Sequence, residues 1–160
     1  MLLRGELVAL RPLAEADATT LRAIAASPEV VRWWGEQDDD FPFDEPDSTR
    51  FAIVEGDRVV GLVQYGEEPE QDYRHAWIDV FVDPRRHGRG LGTDAVRTLA
   101  QHLIEDRGHH RVTIDPAAAN EVAVRSYEKA GFRPVGVMRK AWRGPDGVWE
   151  DVLLMELVRD

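Results

Sequence analysis

The sequence predicts one α/β domain over residues 1–160, with a mixed central sheet of about seven strands flanked by about four helices. The length fits a single domain with an adequate hydrophobic core. Apolar residues recur at helical spacing in some segments, and β-branched and aromatic residues fill shorter segments between them. No internal repeat or linker-like stretch divides the chain, so we expect these elements to form one body.

The composition narrows the classes of function. The formal net charge of −10 argues against non-specific nucleic-acid binding and favours cationic partners. The absence of cysteine excludes disulfides, thiolate metal sites and a cysteine nucleophile, and the five histidines lack metal-ligand spacing. No run reaches the roughly 18 apolar residues of a membrane helix, and no signal-peptide pattern is present. We therefore expect a cytoplasmic protein, monomeric or homodimeric, with no metal and no membrane or nucleic-acid partner.

The N-terminal part is predicted to contain one strand and two helical segments. Residues 7–13 form the strand, and Pro12 suggests that it lies at a sheet edge. A helix with regularly spaced apolar residues begins at 14–17 and ends before the Ser27-Pro28 pair. Residues 30–35 form a short helix or turn.

Two features after the first helix point to a possible substrate site. Trp33 and Trp34 either cover the core or form a wall for a substrate ring. The next segment, 36–47, carries seven acidic residues with interleaved prolines, which predicts a loop. This loop is either a solvated surface run or the rim of a cleft for a polycation, held to the body by Phe41 and Phe43.

Two predicted strands precede a second acidic loop, and a third strand follows it. Strands 50–55 and 59–65 flank a hairpin turn at 55–58. The loop at 66–74 follows with four more acidic residues, and strand 76–82 comes next.

A loop with three glycines and three arginines, residues 82–92, joins strand 76–82 to a helix that ends near Ile104. Glycine lets backbone N–H groups approach a ligand closely, and a helix N-terminus attracts anions. The loop is therefore predicted to bind phosphate groups, although it matches neither GxxxxGK(S/T) nor GxGxxG. A glycine-rich connection without a ligand is the alternative.

The C-terminal part adds three strands and one helix. Asn120 is suited to cap the helix 121–130, and Gly131 to end it. The predicted strands are 111–114, 132–138 and 149–158, the last two forming an antiparallel pair across residues 144–147.

The order of elements and two motifs resemble the GCN5-related N-acetyltransferase (GNAT) family. The glycine loop resembles the pyrophosphate loop of that family, Gln/Arg-x-x-Gly-x-Gly/Ala, with Gly90 and Gly92 at the glycine positions and His87 at the first position. The segment 120–132 matches the family signature N…A…YEKxGF. The order β-α-α-β-β-β-α-β-α-β-β fits the GNAT fold.

The resemblance implies that acetyl-CoA binds where the central strands splay apart, with its pantetheine arm between them. It also makes Tyr127 the group that hydrogen-bonds or protonates the leaving CoA thiolate; by residue type alone, Tyr127 is equally a core aromatic. The residues that the resemblance assigns to acetyl-CoA are Phe81, Val82, His87, Gly88, Arg89, Gly90, Leu91, Gly92, Thr93, Asn120 and Tyr127.

Within the family the chain is similar to the aminoglycoside 6′-N-acetyltransferases. By that similarity Asp79 and Asp115 face the aminosugar, and Trp33, Trp34 and Gln64 line its site. Segments 36–50 and 66–75, which vary with substrate in the family, do not align with that branch. The segments that carry the similarity are 31–35, 61–64, 78–79, 90–93, 113–116 and 120–132.

Acetyl transfer to an amine requires few groups. The attacking nitrogen must lose a proton, because an alkylammonium has a pKa far above 7, and a nearby carboxylate can accept that proton. The resemblance makes Asp79 the predicted base, and alternation puts it on one strand face with Trp77 and Phe81; a solvent-facing role is the alternative. Asp115 either binds a second ammonium or caps a turn. A backbone N–H near Val80 to Val82 is expected to polarise the thioester carbonyl.

Three classes of function follow. The first is an N-acetyltransferase (an acyltransferase of EC class 2.3.1) that acetylates a small polycationic amine by direct attack in a ternary complex. Its expected acceptor is the 6′-amine of an aminoglycoside, which implies antibiotic resistance. The second is an enzyme that acylates a protein N-terminus or a lysine-type siderophore precursor. The third is a non-catalytic CoA-binding module. The acidity of both variable loops favours the first class.

Overall fold

A computed structural model describes all residues, 1–160. Its strands are β1 Leu3–Arg4, β2 Ala9–Pro12, β3 Thr49–Glu55, β4 Arg58–Glu67, β5 Ala76–Val82, β6 Arg111–Ile114, β7 Arg133–Arg143 and β8 Trp149–Val158. Its helices are α1 Ala18–Ala25, α2 Pro28–Trp34, α3 Leu91–Glu105 and α4 Glu121–Lys129, with single 3₁₀ turns at Glu15–Asp17, Gln71–Tyr73 and Pro84–Arg86.

The strands form one mixed sheet in the order β1-β2-β3-β4-β5-β6-β8-β7. Only β5 and β6 pair in parallel; every other neighbouring pair is antiparallel. The predicted mixed α/β architecture with four helices is confirmed. The sheet has eight strands rather than about seven. The additional strand, β1, was not predicted, because two residues are too short to show a periodic pattern.

The predicted edge position of the first long strand is only partly correct. Ala9 and Leu10 of β2 pair with β1 on one side, and the whole of β2 pairs with β3 on the other. Pro12 lies beyond the end of β1, where its missing N–H costs no ladder hydrogen bond.

The helices cover both faces of the sheet. Helices α3 and α4 bury their apolar side chains against one face, in the main core. Helices α1 and α2 pack on the opposite face, in a second core around Leu21, Phe41 and Phe81. None of the helices combines the length and the apolar character that crossing a membrane requires.

The predicted caps and helix ends agree with the structure. Pro28 begins α2 at a first-turn position that needs no N–H donor. The Asn120 side chain accepts a hydrogen bond from the Ala123 N–H at 3.3 Å, and Gly131 follows α4 with a φ of 107°. Strand β7 is longer than predicted, because it continues to Arg143 through a register irregularity at 138–142.

Strands β5 and β6 are paired at only two positions, Ala76 with Val112 and Trp77 with Thr113. Strand β6 then ends at Ile114, and Pro116 cannot donate a backbone hydrogen bond to continue the ladder. The C-terminal part of β5 therefore has no strand on this side, and the sheet opens there.

The buried carboxylate of Asp94, in the first turn of α3, fixes the N-terminal segment. It accepts hydrogen bonds from the backbone N–H groups of Glu6, Leu7 and Val8 at 3.1, 2.8 and 2.9 Å. Gly5 contacts this carboxylate so closely that a Cβ there would lie 2.3 Å from its oxygen. Asp94 thus attaches the β1–β2 hairpin to α3.

We predict that Asp94→Asn destabilises the protein by about 2–3 kcal/mol, because the new amide group would face N–H donors and lose charge-assisted hydrogen bonds. Urea unfolding measures the change. Asp57→Asn, in the exposed hairpin turn, is the matched control and should stay within about 0.5 kcal/mol. Equal unfolding midpoints for Asp94→Asn and the wild type would show that the three hydrogen bonds contribute nothing net.

Candidate active site

The opening between β5 and β6 widens into a cleft of about 1150 Å³. Its walls come from α2, β5, the loop 86–93, residues 115–120, α4 and the middle of β7. The predicted site residues that line it are Trp33, Trp34, Asp79, Phe81, Val82, His87, Gly88, Gly90, Leu91, Gly92, Thr93, Asp115, Asn120 and Tyr127.

Two predicted site residues do not line the cleft. Gln64 lies opposite Asp79 in the β4–β5 pairing, and its side-chain oxygen accepts a hydrogen bond from Arg50 at 2.7 Å. Arg89 donates to Glu55 at 3.0 Å, so its side chain faces β3. The sequence motif includes both positions, but it does not show which way their side chains point.

One end of the cleft is suited to phosphate groups. Gly88 and Gly90 have φ values of 80° and 79°, in the left-handed region that favours glycine, and no atom lies within 4 Å of a Cβ at Gly88. Gly90 precedes the 15-residue helix α3, whose first N–H groups and positive dipole end face the loop. The cationic side chains that line the cleft are Arg86, Arg125 and Lys129, of which Arg86 also pairs with Glu55 at 3.1 Å. The backbone cradle and these charges fit a diphosphate.

The other part of the cleft holds Asp79, Asp115 and Tyr127. Asp79 is open to the cleft but surrounded by protein, and this loss of bulk water, with the charge of Asp115 as the next cause, raises its pKa to about 7. The Val80 N–H and Arg50 act in the opposite direction. Burial also raises the pKa of the Asp115 carboxyl. Asp79 can therefore both accept and release a proton near neutral pH.

Tyr127 remains a neutral phenol at physiological pH. Burial raises its pKa above the usual value, and the charges of Asp79 and Asp115 add to this effect. The residue also packs in the main core, so the two interpretations of Tyr127, core aromatic and site residue, are compatible. Its O–H is available as a hydrogen-bond donor beside the two carboxyl groups.

The predicted alternation along β5 is confirmed. Ile78, Val80 and Val82 lie in the main core. Phe81 packs in the second core, where the Trp34 ring meets it edge-on with centroids 4.9 Å apart. The Trp77 side chain, on the same face as Phe81, is 39% exposed.

Neither acidic loop lines the cleft, which contradicts the alternative in which loop 36–47 forms the rim of a cleft for a polycation. Loop 36–47 is organised around Arg50, whose side chain is 6% exposed and contacts Asp44 at 2.6 Å. Phe41 is fully buried as predicted, whereas Phe43 is half exposed. In the second loop, Glu67 pairs with Arg107 at 2.7 Å and with His109.

Several cleft residues carry no motif in the sequence. Glu29 and Glu121 add carboxylates, and Met138 and Trp142 reach the cleft from β7. An ion pair also joins α2 to β8: Arg32 donates two hydrogen bonds of 2.8 Å to Glu150 and lies 4.0 Å above the Trp33 ring. These partners are 118 residues apart, so no local pattern predicts them.

We predict that Asp79 titrates near pH 7 and that Asp115→Asn lowers its pKa, because the substitution removes the neighbouring negative charge. A ¹³C NMR titration of the Asp79 carboxyl carbon measures both values. Asp57→Asn is the control, since its carboxylate is not among the groups that act on Asp79. A carboxyl carbon that titrates near pH 4, or is unaffected by Asp115→Asn, would contradict this account of the site.

Some known proteins are similar to part of this chain, and others are similar to most of it. Probable N-acetyltransferase YjcK of Bacillus subtilis is 33% identical over 59% of this chain. Spermine/spermidine N(1)-acetyltransferase of the same species is 37% identical over 49%. These matches span only about half the length of those two proteins, 52% and 55%. Aminoglycoside N(6′)-acetyltransferase type 1 of Klebsiella pneumoniae is 29% identical over 88% of this chain and 79% of its own.

Solved structures share the fold. An acetyltransferase (GNAT family) from Bacillus anthracis superposes with a TM-score of 0.88 at 16% identity, covering 99% of this chain and 98% of that one. AAC(6′)-Ib in complex with paromomycin and acetyl-CoA gives 0.78 at 26% identity, covering 96% and 94%. The model of the acetyltransferase (GNAT) family matches residues 10–132, which is most of the sheet together with the loop 86–93 and α4. The chain therefore belongs to the acetyltransferase (GNAT) family.

Proposed function

We propose that this protein is an acetyl-CoA-dependent N-acetyltransferase that acetylates a primary amine of a small polycationic acceptor by direct attack in a ternary complex. One observation carries the proposal: a single cleft has a glycine cradle with cationic side chains at one end and, further along, a carboxyl group of pKa about 7 beside Tyr127. Bound acetyl-CoA would supply the activated acyl group. AAC(6′)-Ib, a relative at 26% identity, has been crystallised with it.

The chain has residues suited to hold acetyl-CoA. The backbone N–H groups of loop 86–93 would bind the diphosphate; Arg86 beside them already pairs with Glu55 at 3.1 Å. Asn120 uses its side-chain oxygen for the helix cap, so its amide N–H groups are free to donate to the pantetheine arm. Tyr127, whose pKa is raised by burial, would keep its phenolic proton until a thiolate leaves.

Asp79 is the proposed general base. The acceptor ammonium must lose a proton before it can attack, and a carboxylate with a pKa near 7 is suited to take that proton directly or through one water. Protonated Asp79 would then release the proton to solvent at neutral pH. Asp115 both raises the pKa of Asp79 and offers a negative charge to a second ammonium.

The acids that line the cleft, rather than those of the acidic loops, support a polycationic acceptor. The carboxylates that line the cleft are Glu29, Asp79, Asp115 and Glu121. The ion pairs of the structure use other acids, so none of these four forms an ion pair with a cationic side chain. A protein N-terminus or a siderophore precursor, with a single amine, would use less of this charge.

The acceptor that we propose is the 6′-amine of an aminoglycoside, with antibiotic resistance as its consequence. The aminoglycoside relative aligns over 88% of this chain, whereas the spermine/spermidine relative aligns over 49%. Polyamine acetylation is the second candidate, because the identity within that shorter stretch is higher, at 37%.

We predict that kanamycin and tobramycin are acetylated with a higher kcat/KM than spermidine, a simple monoamine or a peptide with a free N-terminus. Their KM should rise with ionic strength, since salt screens the attraction between ammonium groups and the cleft. Thiol release from acetyl-CoA measures turnover. Paromomycin, which has a hydroxyl at 6′, is the control and should not react. Preference for spermidine would favour the second candidate, and preference for the peptide would favour N-terminal acylation.

We predict that Asp79→Asn lowers kcat by roughly 10²–10⁴, the usual contribution of one acid–base group, while acetyl-CoA affinity changes little. In the wild type, kcat should rise with pH and level off above about 7, because Asp79 accepts a proton only when ionised. This rise should disappear in Asp79→Asn. Asp57→Asn should behave as wild type. A near-normal kcat for Asp79→Asn at pH 7 would assign the base to Asp115 or to a water chain.

A further inference from the structure

Helix α2 is attached to the sheet on both sides of the opening. On one side, the Trp34 Nε1–H donates to the Val80 carbonyl of β5 at 3.1 Å. On the other side, Arg32 donates to both carboxylate oxygens of Glu150, at 2.8 Å each, near the start of β8. Strand β6 lies between β5 and β8 in the sheet and diverges from β5 after two paired positions. Helix α2 therefore bridges the two parts of the sheet where they separate.

The ion pair meets β8 on the strand face that continues the wall of the cleft. Met138 of β7 pairs with Val152 of β8, and both residues line the cleft. The next pair along these strands is Trp142 with Glu150, and Trp142 lines the cleft as well. Directly paired residues share a face, and so do residues two apart on one strand. The carboxylate that Arg32 binds is thus next to the cleft wall.

Trp33 lies between the two attachments of α2 and lines the cleft. The Arg32 guanidinium covers one face of its indole, 4.0 Å from the ring centre. The same guanidinium is fixed in orientation by its bidentate contact with Glu150, because the planar fork fits a carboxylate in one geometry. The indole is therefore held before a ligand arrives, and a ring that packs against it loses less free energy to ordering.

We propose that Arg32 and Glu150 are positioning residues that hold the Trp33 indole as an acceptor-binding wall of the cleft. The proposal rests on the proposed acetyl-CoA-dependent function and deepens it, because an indole wall suits an acceptor with rings better than a linear amine. The Arg32 side chain is 44% exposed, and exposed ion pairs usually contribute little to the free energy of unfolding. We therefore expect the pair to affect acceptor binding more than stability.

The test is a double-mutant cycle on Arg32 and Trp33. Arg32→Met removes the guanidinium but keeps a long side chain, Glu150→Gln removes the charge of its partner, and Trp33→Leu removes the wall itself. Arg111→Met is the matched control, since it breaks an exposed ion pair between β6 and β8 whose residues do not line the cleft. Calorimetry gives the affinities for acetyl-CoA and, with CoA present, for kanamycin. Urea unfolding gives the stability.

We expect Arg32→Met and Glu150→Gln each to weaken kanamycin binding about tenfold, at the lower end of the usual worth of a hydrogen bond to a charged group. The affinity for acetyl-CoA and the unfolding midpoint should change little, and Arg111→Met should behave as wild type. The double variant of Arg32→Met and Trp33→Leu should bind kanamycin no more weakly than Trp33→Leu alone, because Arg32 acts through the indole.

Unchanged kanamycin affinity in Arg32→Met, or a loss that adds to that of Trp33→Leu, would overturn the positioning role. An equal loss of acetyl-CoA affinity with a lower unfolding midpoint would also overturn it, because the pair would then be purely structural. If wild type acetylates spermidine but does not bind kanamycin, the wall is overturned and acetyl transfer stands. If the variants weaken kanamycin binding as expected but wild type acetylates no amine, the wall stands and the proposed function fails. If wild type neither binds kanamycin nor acetylates any amine, both fail.

Discussion

Strands β5 and β6 separate after two paired positions, and the backbone that this leaves unpaired needs other partners. On the β5 side these partners are the ring nitrogens of Trp34 and His87. On the other side, the Leu153 N–H of β8 donates to the Pro116 carbonyl at 2.9 Å, just beyond the end of β6. The separation is thus supported from both sides by the protein itself. When a cleft is already ordered without a ligand, less of the binding free energy is lost to ordering its walls when a ligand binds.

The same opening explains the electrostatics of the cleft. Asp79 lies where β5 and β6 separate. The surrounding protein excludes bulk water from its carboxyl group, and the negative charge of Asp115 lies nearby; these two causes raise its pKa to about 7. Arg50 opposes them from β3, two strands away from β5, while its guanidinium also contacts Asp44 and Gln64. The acidic loop therefore influences the cleft through the arginine that holds it, rather than as a wall of the cleft.

Local patterns predicted most of the architecture, because helical spacing, caps and glycine turns are properties of neighbouring residues. Gly90 and Asn120 are examples, since each could be assigned from a few adjacent letters. What could not be predicted depends on distant partners: the pairing of Arg32 with Glu150, the burial of Arg50, and the contact of Trp34 with the Val80 carbonyl. Charge density in the sequence showed where acids are numerous, but not which of them already have a cationic partner.

The attachment at Asp94 joins the first residues of the chain to a helix that is synthesised much later. The backbone N–H groups of residues 6–8 donate to a side chain that lies 86–88 positions further along the chain. During translation the N-terminal hairpin leaves the ribosome first, but its partner emerges only when α3 is made. Contacts at such sequence separation slow folding, because loop closure precedes the gain from the contact. The hydrogen bonds that attach residues 6–8 to Asp94 can thus form only after the helix behind the glycine loop exists.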